Sequence, residues 1–399
     1  MAAAGASGSG SAHARPTDGR PARVRTSDPA ERAGAHLHID LDAIAANYRI
    51  LCTETAPATC GVVVKANAYG LDVARVAPVL ARAGARDFFV ATIDEALDLR
   101  EILDAAGTAD ARIAVLNGPL PGTEPDLIAF GVTPVLNSLD DLARWCAAAR
   151  TRETRLPAIL HVDTGMSRLG LPDEAVQVLA DDPARLAPLR LKAVMSHLAC
   201  APQPEHAENA AQLARLNAAL RALPAAPVSL ANSSGIFLGA AYRFDLARPG
   251  VALYGVNPTP GRGNPMHGVV RLCARVLQVR QIDAPRGVGY GSTFRPAGPT
   301  RIATVAGGYG DGVLRALSNS GRVVAGEYHL PLVGRVSMDS ITVDATALPP
   351  DALAAGDWVE VIGPDHDVDA LAAEAGTIGY EILTALGRRH YRIHHGGNG

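Results

Sequence analysis

The feature that most constrains the fold of this chain is a repeated alternation of short apolar runs and helical stretches between residues 36 and 255. Eight runs rich in β-branched and apolar residues are predicted as strands: 62–65, 88–92, 113–116, 133–136, 158–162, 191–197, 228–232 and 245–248. Amphipathic stretches such as 94–105, 139–149 and 205–223 separate them. Eight strand–helix units in roughly 220 residues match a (β/α)8 barrel better than an open sheet. A doubly wound sheet stays an alternative, because the fourth and eighth units are short.

The pattern changes after residue 255. A stretch rich in proline and glycine at 258–268 is predicted as a linker. Strand patterns then dominate, at 270–280, 301–306, 322–325, 341–343 and 358–362, and two helical patterns follow at 369–375 and 380–385. The sequence therefore predicts an α/β protein in which a TIM-like (β/α)8 barrel (36–255) precedes a mainly β C-terminal domain (256–399).

Residues 1–35 differ from the rest of the chain. They are mostly Ala, Gly, Ser, Arg, Pro and Thr, with almost no large apolar side chain. Such a segment cannot bury enough surface to offset its ordering entropy, so it is predicted to be a disordered tail. It also lacks the apolar region of a secretory signal.

Charge and cysteine content limit the classes of partner. A net charge of −3 gives no reason to expect nucleic acid or an anionic membrane as partner, and no apolar run is long enough to span a bilayer. The five cysteines are scattered and include no C-x-x-C pair. This pattern is not typical of a disulfide framework or a zinc site, so we expect a cytoplasmic protein without a metal.

Lys65 stands where the first predicted barrel strand stops, in the segment G-V-V-V-K-A-N-A-Y-G. Catalytic residues of such barrels lie at the C-terminal ends of the strands. A lysine at this place has its charge close to the apolar core, where desolvation lowers its pKa and frees the amine for Schiff-base chemistry. From position alone, a solvated lysine at a strand end is an equal alternative.

Other polar residues fall at the same ends of later strands. They are Arg168, His197, Asn232, Ser233 and Arg248. Each alone is more often structural, but together they predict one site on one rim of the barrel. The chain has no Walker A loop, no G-x-G-x-x-G opening a helix, no G-x-S-x-G and no H-E-x-x-H. The glycines of 307–312 are interpreted as a tight loop that lines a site.

The chain resembles the bacterial alanine racemases, a pyridoxal 5′-phosphate (PLP) family of fold-type III. The resemblance runs from residue 36 to the last strand, and it is carried by these motifs: V-V-K-A-N-A-Y-G, D-T-G-M-x-R-L-G, M-S-H-L-A, A-N-S, R-P-G-V-A-L-Y-G, V-G-Y-G-S-T-F, G-Y-G-D-G, G-R-V-S-M-D and G-T-I-G-Y-E. It implies a homodimer with shared active sites that interconverts L-alanine and D-alanine, supplying D-alanine for peptidoglycan.

The resemblance also implies roles for individual residues. Lys65 would bind PLP and act as one base, and Tyr290 of the partner subunit would be the other. Two opposed bases suit racemisation, because a proton leaves one face of a planar carbon and arrives on the other. Arg248 would face the pyridine nitrogen of PLP. A guanidinium stays protonated, so that nitrogen stays unprotonated and the ring is a weaker electron sink. An acidic residue there would instead favour an aminotransferase or a decarboxylase.

The remaining assignments concern cofactor and substrate contacts. Cofactor contacts are expected from Lys65, Tyr69, Arg168, His197, Ser233, Arg248, Gly250, Val251 and Tyr380. Substrate contacts are expected from Arg168 and, in the partner subunit, from Met338, Asp339 and Tyr309, with Arg335 near the entrance. For Arg335 and Asp339 a structural salt bridge is an alternative to a role with substrate.

Two departures from the family pattern bear on this interpretation. Many members carry a carbamylated lysine where this chain has His161, so a bound anion, a carboxylate or neutral His161 itself must position Arg168. Val313 and Leu314 follow the G-Y-G-D-G motif in place of the usual aromatic residue and proline. Either they widen the entrance, or Val313 is a buried strand residue. A broader serine/alanine racemase, a barrel-type decarboxylase and a non-catalytic PLP carrier stay as alternatives.

Overall fold

The computed structural model describes residues 27–397, and parallel strands organise its first half. In chain order the first ten strands are β1 (Ala35–Asp40), β2 (Thr59–Cys60), β3 (Val62–Val63), β4 (Asp87–Val90), β5 (Arg112–Val115), β6 (Thr133–Leu136), β7 (Leu156–His161), β8 (Leu189–Met195), β9 (Val228–Ser229) and β10 (Leu246–Ala247). Strands β3 to β9 form one parallel sheet in sequence order, and β2 pairs with β10.

Backbone hydrogen bonds close this sheet into a barrel. The N–H of Gly61, between β2 and β3, donates to the carbonyl of Ala247 at 2.9 Å. On the other side of β10, the N–H of Arg248 donates to the carbonyl of Ala231 at 2.8 Å. Strands β2 and β3 therefore act as one barrel strand interrupted at Gly61. The predicted (β/α)8 fold is confirmed, and the open doubly wound sheet is excluded.

Helices connect the barrel strands, and local capping sets where several of them begin. The helices are α1 (Pro29–Arg32), α2 (Leu41–Thr55), α3 (Lys65–Tyr69), α4 (Val73–Arg82), α5 (Ile93–Ala105), α6 (Glu124–Ala129), α7 (Leu139–Thr151), α8 (Asp173–Asp181) and α9 (Ala207–Ala222). Thr92 and Glu95 form a capping box at the start of α5, and the Ser138 side chain accepts the N–H of Asp141 at the start of α7. Both caps lie just after a barrel strand, so each strand passes directly into its helix.

The second half of the chain is mainly β structure. Its elements are β11 (Val270–Ile282), β12 (Thr300–Ala306), β13 (Arg322–Ala325), β14 (Tyr328–Pro331), β15 (Ser340–Asp344), β16 (Trp358–Ile362), α10 (Val368–Glu374), α11 (Gly379–Ala385) and β17 (Tyr391–His395). The sheet has the order β14-β13-β16-β11-β1-β17, and β11 also pairs with β12, which pairs with β15. The long strand β11 therefore pairs both within the main sheet and with β12.

Strand β1 belongs to this second sheet and not to the barrel. It runs antiparallel to β11 and parallel to β17. Ala35, Leu37 and Ile39 alternate with less buried residues, as expected for a strand with one face in the core. Residues 36–40 were predicted to belong to the barrel. This part of the prediction is corrected, because they lie in the C-terminal sheet. Most of the predicted tail, residues 1–26, lies outside the described residues, and α1 occupies part of the remainder.

One apolar core joins the two parts of the chain close to the end of β3. Helix α11 packs against the turn that follows Lys65, and a Cβ on Gly70 would lie only 2.6 Å from the carbonyl oxygen of Leu383. Arg392 also donates to the carbonyl of Gly70 at 2.7 Å. The β domain therefore fixes the position of the turn beyond Lys65. In residues 27–397 no helix is long and apolar enough to cross a membrane.

Candidate active site

A cavity of about 410 Å³ lies at the C-terminal ends of the barrel strands. It brings together every residue expected to contact the cofactor: Lys65, Tyr69, Arg168, His197, Ser233, Arg248, Gly250, Val251 and Tyr380. Tyr380 comes from α11 of the β domain, and the others come from the barrel. The family motifs, far apart in sequence, therefore meet around one enclosed space.

Lys65 follows β3 and begins a turn of unusual handedness. The backbone of Ala66 to Tyr69 has φ between 52° and 55°, a left-handed conformation that non-glycine residues rarely adopt. The carboxylate of Glu95 accepts the N–H of Ala66 at 2.6 Å and so holds the first residue of this turn. Burial, together with the nearby charge of Arg168, lowers the pKa of Lys65, and Glu95 opposes this shift. A larger fraction of the amine is therefore neutral and nucleophilic.

Arg248 is the buried cation of the site, with only 4% of its surface exposed. It donates to the carbonyl of Ser196 at 2.7 Å and to the hydroxyl of Ser229. Burial lowers the pKa of Arg248 to about 10, which still leaves the guanidinium protonated at neutral pH. Nδ1 of His197 lies 3.4 Å from Arg248 Nη2. Burial, and then the charge of Arg248, holds the pKa of His197 well below its usual value, so the ring is neutral and can accept this contact.

The two serines were not expected from the sequence. Ser229 ends β9 and Ser196 directly follows β8, so both lie in the rim where polar residues were sought. Only their position at strand ends could have indicated them, because a buried serine is common in barrels. They hold the guanidinium of Arg248, which also lines the cavity.

His161 ends β7 and is hydrogen-bonded in one orientation. Its Nδ1 lies 2.7 Å from Oδ1 of Asn137, whose amide nitrogen donates to the carbonyls of Leu116 and Val135 at 3.1 and 3.2 Å. The amide oxygen is therefore the acceptor, and His161 Nδ1 carries the proton. Burial, and then the charge of Arg248, lowers the pKa of His161 to about 4. The ring is neutral at physiological pH, and its Nε2 is a hydrogen-bond acceptor.

Asn137 is a second residue that the sequence reasoning missed. It directly follows β6, so applying the strand-end rule to the predicted strand at 133–136 would have found it.

The loop after β10 forms the opposite wall of the cavity. The Ser233 hydroxyl accepts the N–H of Gly250 at 3.0 Å and that of Ala252 at 3.3 Å. A Cβ on Gly250 would overlap the Tyr69 hydroxyl, so only glycine allows this close approach. Burial raises the pKa of Tyr69, and raises that of Tyr380 to about 12. Both phenols are therefore protonated donors, which is the chemistry that a phosphate group requires.

The β-domain residues expected to contact substrate do not line this cavity. Tyr290 is 71% exposed, Met338 54% and Tyr309 44%. Asp339 is also largely exposed and forms an ion pair with Arg389 at 2.6 Å. Arg389 binds Asp311 as well, at 2.7 Å. Asp339 therefore has a structural partner, but that partner is Arg389 and not Arg335.

Val313, which replaces the usual aromatic residue, is buried within the apolar core with 3% of its surface exposed. The alternative in which it is a structural residue is therefore supported. The idea that it widens the entrance loses its basis in this structure.

A lysine of lowered pKa, a buried arginine and two phenols at the mouth of a (β/α)8 barrel define a class of enzymes that bind an aldehyde cofactor through a lysine. Sequence comparison identifies the family. Residues 39–258 match the model of the alanine racemase N-terminal domain, and residues 269–394 match that of the alanine racemase C-terminal domain. The chain therefore belongs to the alanine racemase family, whose members are PLP-dependent amino-acid racemases.

Individual relatives agree with this assignment. The chain is 49% identical to the alanine racemase of Rhodospirillum rubrum over 92% of this chain and 97% of the relative. It is 50% identical to the catabolic alanine racemase of Mesorhizobium japonicum over 92% of this chain and 94% of the relative. The crystal structure of alanine racemase from Bartonella henselae, which has covalently bound pyridoxal phosphate, matches with a TM-score of 0.87 at 45% identity, covering 91% of this chain and all of that one.

Proposed function

We propose that this protein interconverts L-alanine and D-alanine with PLP as cofactor and with Lys65 and Tyr290 as the two bases. The observation that carries the proposal is the convergence of Lys65, Arg168 and Arg248 on one cavity at the C-terminal end of the barrel. A lysine nucleophile and a substrate-binding cation in the same enclosed space are the minimum that the reaction needs.

The residues that line the cavity fit PLP in their chemistry. Lys65 supplies the amine that binds the aldehyde. The hydroxyls of Tyr69, Tyr380 and Ser233 supply contacts for the phosphate, beside the close backbone approach at Gly250. The N–H of Gly250 already donates to the Ser233 hydroxyl in this structure. A contact with the phosphate would therefore require this N–H to be shared between two acceptors. When bound, PLP draws electrons from the Cα of the substrate and so acidifies its C–H bond.

Arg248 selects racemisation among the reactions open to this class. Its guanidinium stays protonated at neutral pH, since burial lowers its pKa only to about 10. It can therefore donate a hydrogen bond to a ring nitrogen but cannot accept one. His197 beside it is neutral and gives up no proton. A ring nitrogen that carries no proton would withdraw electrons less strongly, which would favour racemisation over transamination.

The proposed bases are supplied by two subunits. The amine of Lys65 serves one face of the substrate, from within the cavity. The phenol of Tyr290 would serve the other face, but in a single chain it is 71% exposed and does not line that cavity. Met338 and Tyr309 are exposed in the same domain. We infer a head-to-tail homodimer in which these residues cover the barrel mouth of the partner.

We propose that neutral His161 takes the place of a carbamylated lysine toward Arg168, with which it shares the cavity but, among the described residues, no direct hydrogen bond. Its Nδ1 proton is committed to Asn137, so Nε2 presents a lone pair within the cavity that Arg168 also lines. An acceptor at this place can hold the guanidinium without a bound anion. Arg168 is then free to direct its other N–H groups to the substrate carboxylate.

Supply of D-alanine for peptidoglycan is the biological role we propose, and a cytoplasmic location stays a prediction. The relatives include both alanine racemases and catabolic alanine racemases at similar identity. Growth of a D-alanine auxotroph that carries this sequence tests the role. Growth without added D-alanine is expected, and failure to grow with the protein expressed would contradict this role.

The experiment that tests the activity combines spectroscopy with polarimetry. Purified protein is expected to show the visible absorption of lysine-bound PLP, and Lys65→Ala protein is expected to lack it. Optical rotation of L-alanine should decay to zero with the wild-type enzyme and more slowly for L-serine. Absence of the visible band would contradict the cofactor assignment. Faster decay for serine than for alanine would contradict the substrate.

A further inference from the structure

A second cavity lies at the end of the barrel opposite to Lys65. It has a volume of about 840 Å³. The residues around it include those at the start of several strands, such as Thr59 of β2, Asp87 of β4, Arg112 of β5 and Thr133 of β6. Because parallel strands start at the same end of a barrel, this cavity opens at the N-terminal face. It shares no residue with the cavity around Lys65.

The floor of this cavity is apolar. Phe89, Ile113, Ile159 and Ala193 line it, and each has no more than 5% of its surface exposed. They belong to the core of the barrel, so they are held rigidly. A ligand with an apolar part can remove this floor from water at little cost in protein reorganisation.

The rim carries one more cation than carboxylates. The wall carries four cations, Arg100, Arg112, Arg190 and Lys192, and three carboxylates, Asp87, Asp104 and Asp245. Arg112 is paired with Asp87 at 2.5 Å, and Arg100 with Asp104 at 3.6 Å. The Asp245 carboxylate accepts the N–H of Val228 at 2.7 Å.

Two cations of the rim have no such partner. Within the part of the chain that the structure describes, no carboxylate lies within 4.0 Å of Arg190 or Lys192. Both residues lie on β8 and are exposed. Burial, and then the charges of Arg190 and Arg112, lowers the pKa of Lys192. The charges of Arg190 and Arg112 repel the amine and Asp87 offsets part of that repulsion, so an anion placed there would offset more of it.

We propose that this cavity binds a small organic dianion, such as a phosphate monoester, with its charged group between Arg190 and Lys192 and its apolar part on the floor at Phe89 and Ile159. The volume lies within the range of about 300–1,000 Å³ usual for small-molecule sites. The arginine fork offers paired donors to a phosphate, and the lysine adds a point charge. The proposal does not depend on the racemase activity.

Calorimetric titration of the PLP-loaded enzyme with phenyl phosphate tests the proposal. We expect saturable binding that leaves the visible spectrum of the cofactor unchanged, which separates this site from the active site. The double variant Arg190→Gln/Lys192→Gln should bind at least about tenfold more weakly, since two charge-assisted contacts are lost. The matched double variant Arg49→Gln/Arg262→Gln changes net charge equally at exposed positions outside the cavity and should bind normally.

A second measurement keeps the test valid if the double variant does not fold. The chain has only two lysines, Lys65 and Lys192. With Lys65 occupied by PLP, acetylation by sulfosuccinimidyl acetate and mass spectrometry report on Lys192 directly. Phenyl phosphate should slow its acetylation several-fold. The proposed site would be overturned if Lys192 were acetylated at the same rate with and without phenyl phosphate. It would also be overturned if the Arg190→Gln/Lys192→Gln variant bound phenyl phosphate as tightly as the wild type. Inorganic phosphate binding as tightly as phenyl phosphate would overturn the role of the apolar floor.

Discussion

The barrel half and the β-domain half of the candidate active site differ in how completely one chain builds them. In the barrel, Arg248 and His161 are 4% and 8% exposed, and each is held by hydrogen bonds to its neighbours. In the β domain, Tyr290 and Met338 are 71% and 54% exposed. The barrel half is therefore preorganised by the folding of a single chain, whereas the other half depends on association.

This difference separates two kinds of variant. Changes in the barrel half should alter cofactor binding, because those residues surround the cofactor cavity before any partner arrives. Changes at the exposed β-domain residues Tyr290, Met338 and Tyr309 should leave cofactor binding intact and affect only the reaction itself. Tyr380 also belongs to the β domain, but it lines the cofactor cavity and is grouped with the barrel half. The predictions below test this division.

The largest effect is expected from Lys65→Ala. Loss of the amine removes both the covalent link to PLP and one base, so activity should fall by more than about a thousandfold. Steady-state racemisation and the visible spectrum measure the two losses. Lys65→Arg keeps a cation at the site but has no amine able to bind an aldehyde, and it should be equally inactive. Substantial activity in Lys65→Arg would show that only the charge matters.

Tyr290→Phe should lower racemisation by about 10²–10⁴-fold, the usual contribution of a general acid or base. PLP content should not change, because the phenol lies outside the cofactor cavity in its own chain. Tyr391→Phe, at a partly exposed tyrosine on β17, is the matched control and should retain activity. Loss of PLP in Tyr290→Phe would contradict the division between the two halves.

Mixing the two inactive variants sharpens the same prediction. A heterodimer of Lys65→Ala and Tyr290→Phe chains has one site with both native bases if the sites are shared. Random pairing in a two-fold dimer should then restore roughly a quarter of wild-type activity. If both bases came from the same chain, no combination would contain an intact site, and the mixture would stay inactive.

Gly250→Ala should weaken PLP binding by about tenfold, equivalent to about 1.4 kcal/mol. The added Cβ overlaps the Tyr69 hydroxyl, so the phenol must move out of the cofactor cavity. Titration of apoenzyme with PLP measures the affinity. Gly263→Ala is the control, since a Cβ there meets nothing within 4 Å. Unchanged affinity in Gly250→Ala would remove Tyr69 from the phosphate contacts.

His161→Leu should lower kcat/KM about fivefold, in line with the loss of one hydrogen bond of roughly 1 kcal/mol. Asn137→Leu should have a similar effect, and the double variant should be little worse than either, because both act through one contact. Wild-type activity should not depend on bicarbonate. Activity that falls when bicarbonate is removed would indicate a carbamate and contradict the role of neutral His161.

The smallest effect concerns pH. The Glu95 carboxylate raises the pKa of Lys65 against the lowering by burial, so Glu95→Gln should lower that pKa further. The neutral amine then persists to lower pH, and the pH profile for PLP incorporation into apoenzyme should shift to lower pH. Asp98→Asn, at an exposed position on α5, is the control. A shift to higher pH would mean that loss of the Ala66 contact outweighs the charge.

Some predicted strands match the structure to the residue, in the barrel and in the β domain. The predicted strand at 133–136 coincides with β6, and those at 322–325 and 358–362 coincide with β13 and β16. Three barrel strands end two or three residues earlier than predicted, at Val63, Met195 and Ser229. Lys65, His197 and Asn232, which were predicted as the last residues of these strands, lie beyond them and line the cavity.

Strands β1 and β17 are among the elements that escaped prediction, and their partners are distant in sequence. Strand β1 carries histidines at alternate positions, and β17 has the composition Y-R-I-H-H, so neither has a strong strand pattern. Each is stabilised by the other and by β11. For the site, the polar positions were predictable from strand ends. Asn137, Ser196 and Ser229 also stand at or next to strand ends. Their supporting contacts were not predictable, because a single buried polar residue does not indicate its partner.

The place of β1 between β11 and β17 has a consequence for how the protein is made. The ribosome produces β1 first and β17 some 350 residues later, so the sheet that holds both cannot be completed until almost the whole polypeptide has emerged. Most barrel strands pair with their sequence neighbours, so the barrel can assemble during synthesis while β1 is still unpaired. Cleavage in the loop before β11 would therefore separate β1 from its sheet, and a β domain produced alone would fold only if that strand were supplied as a peptide.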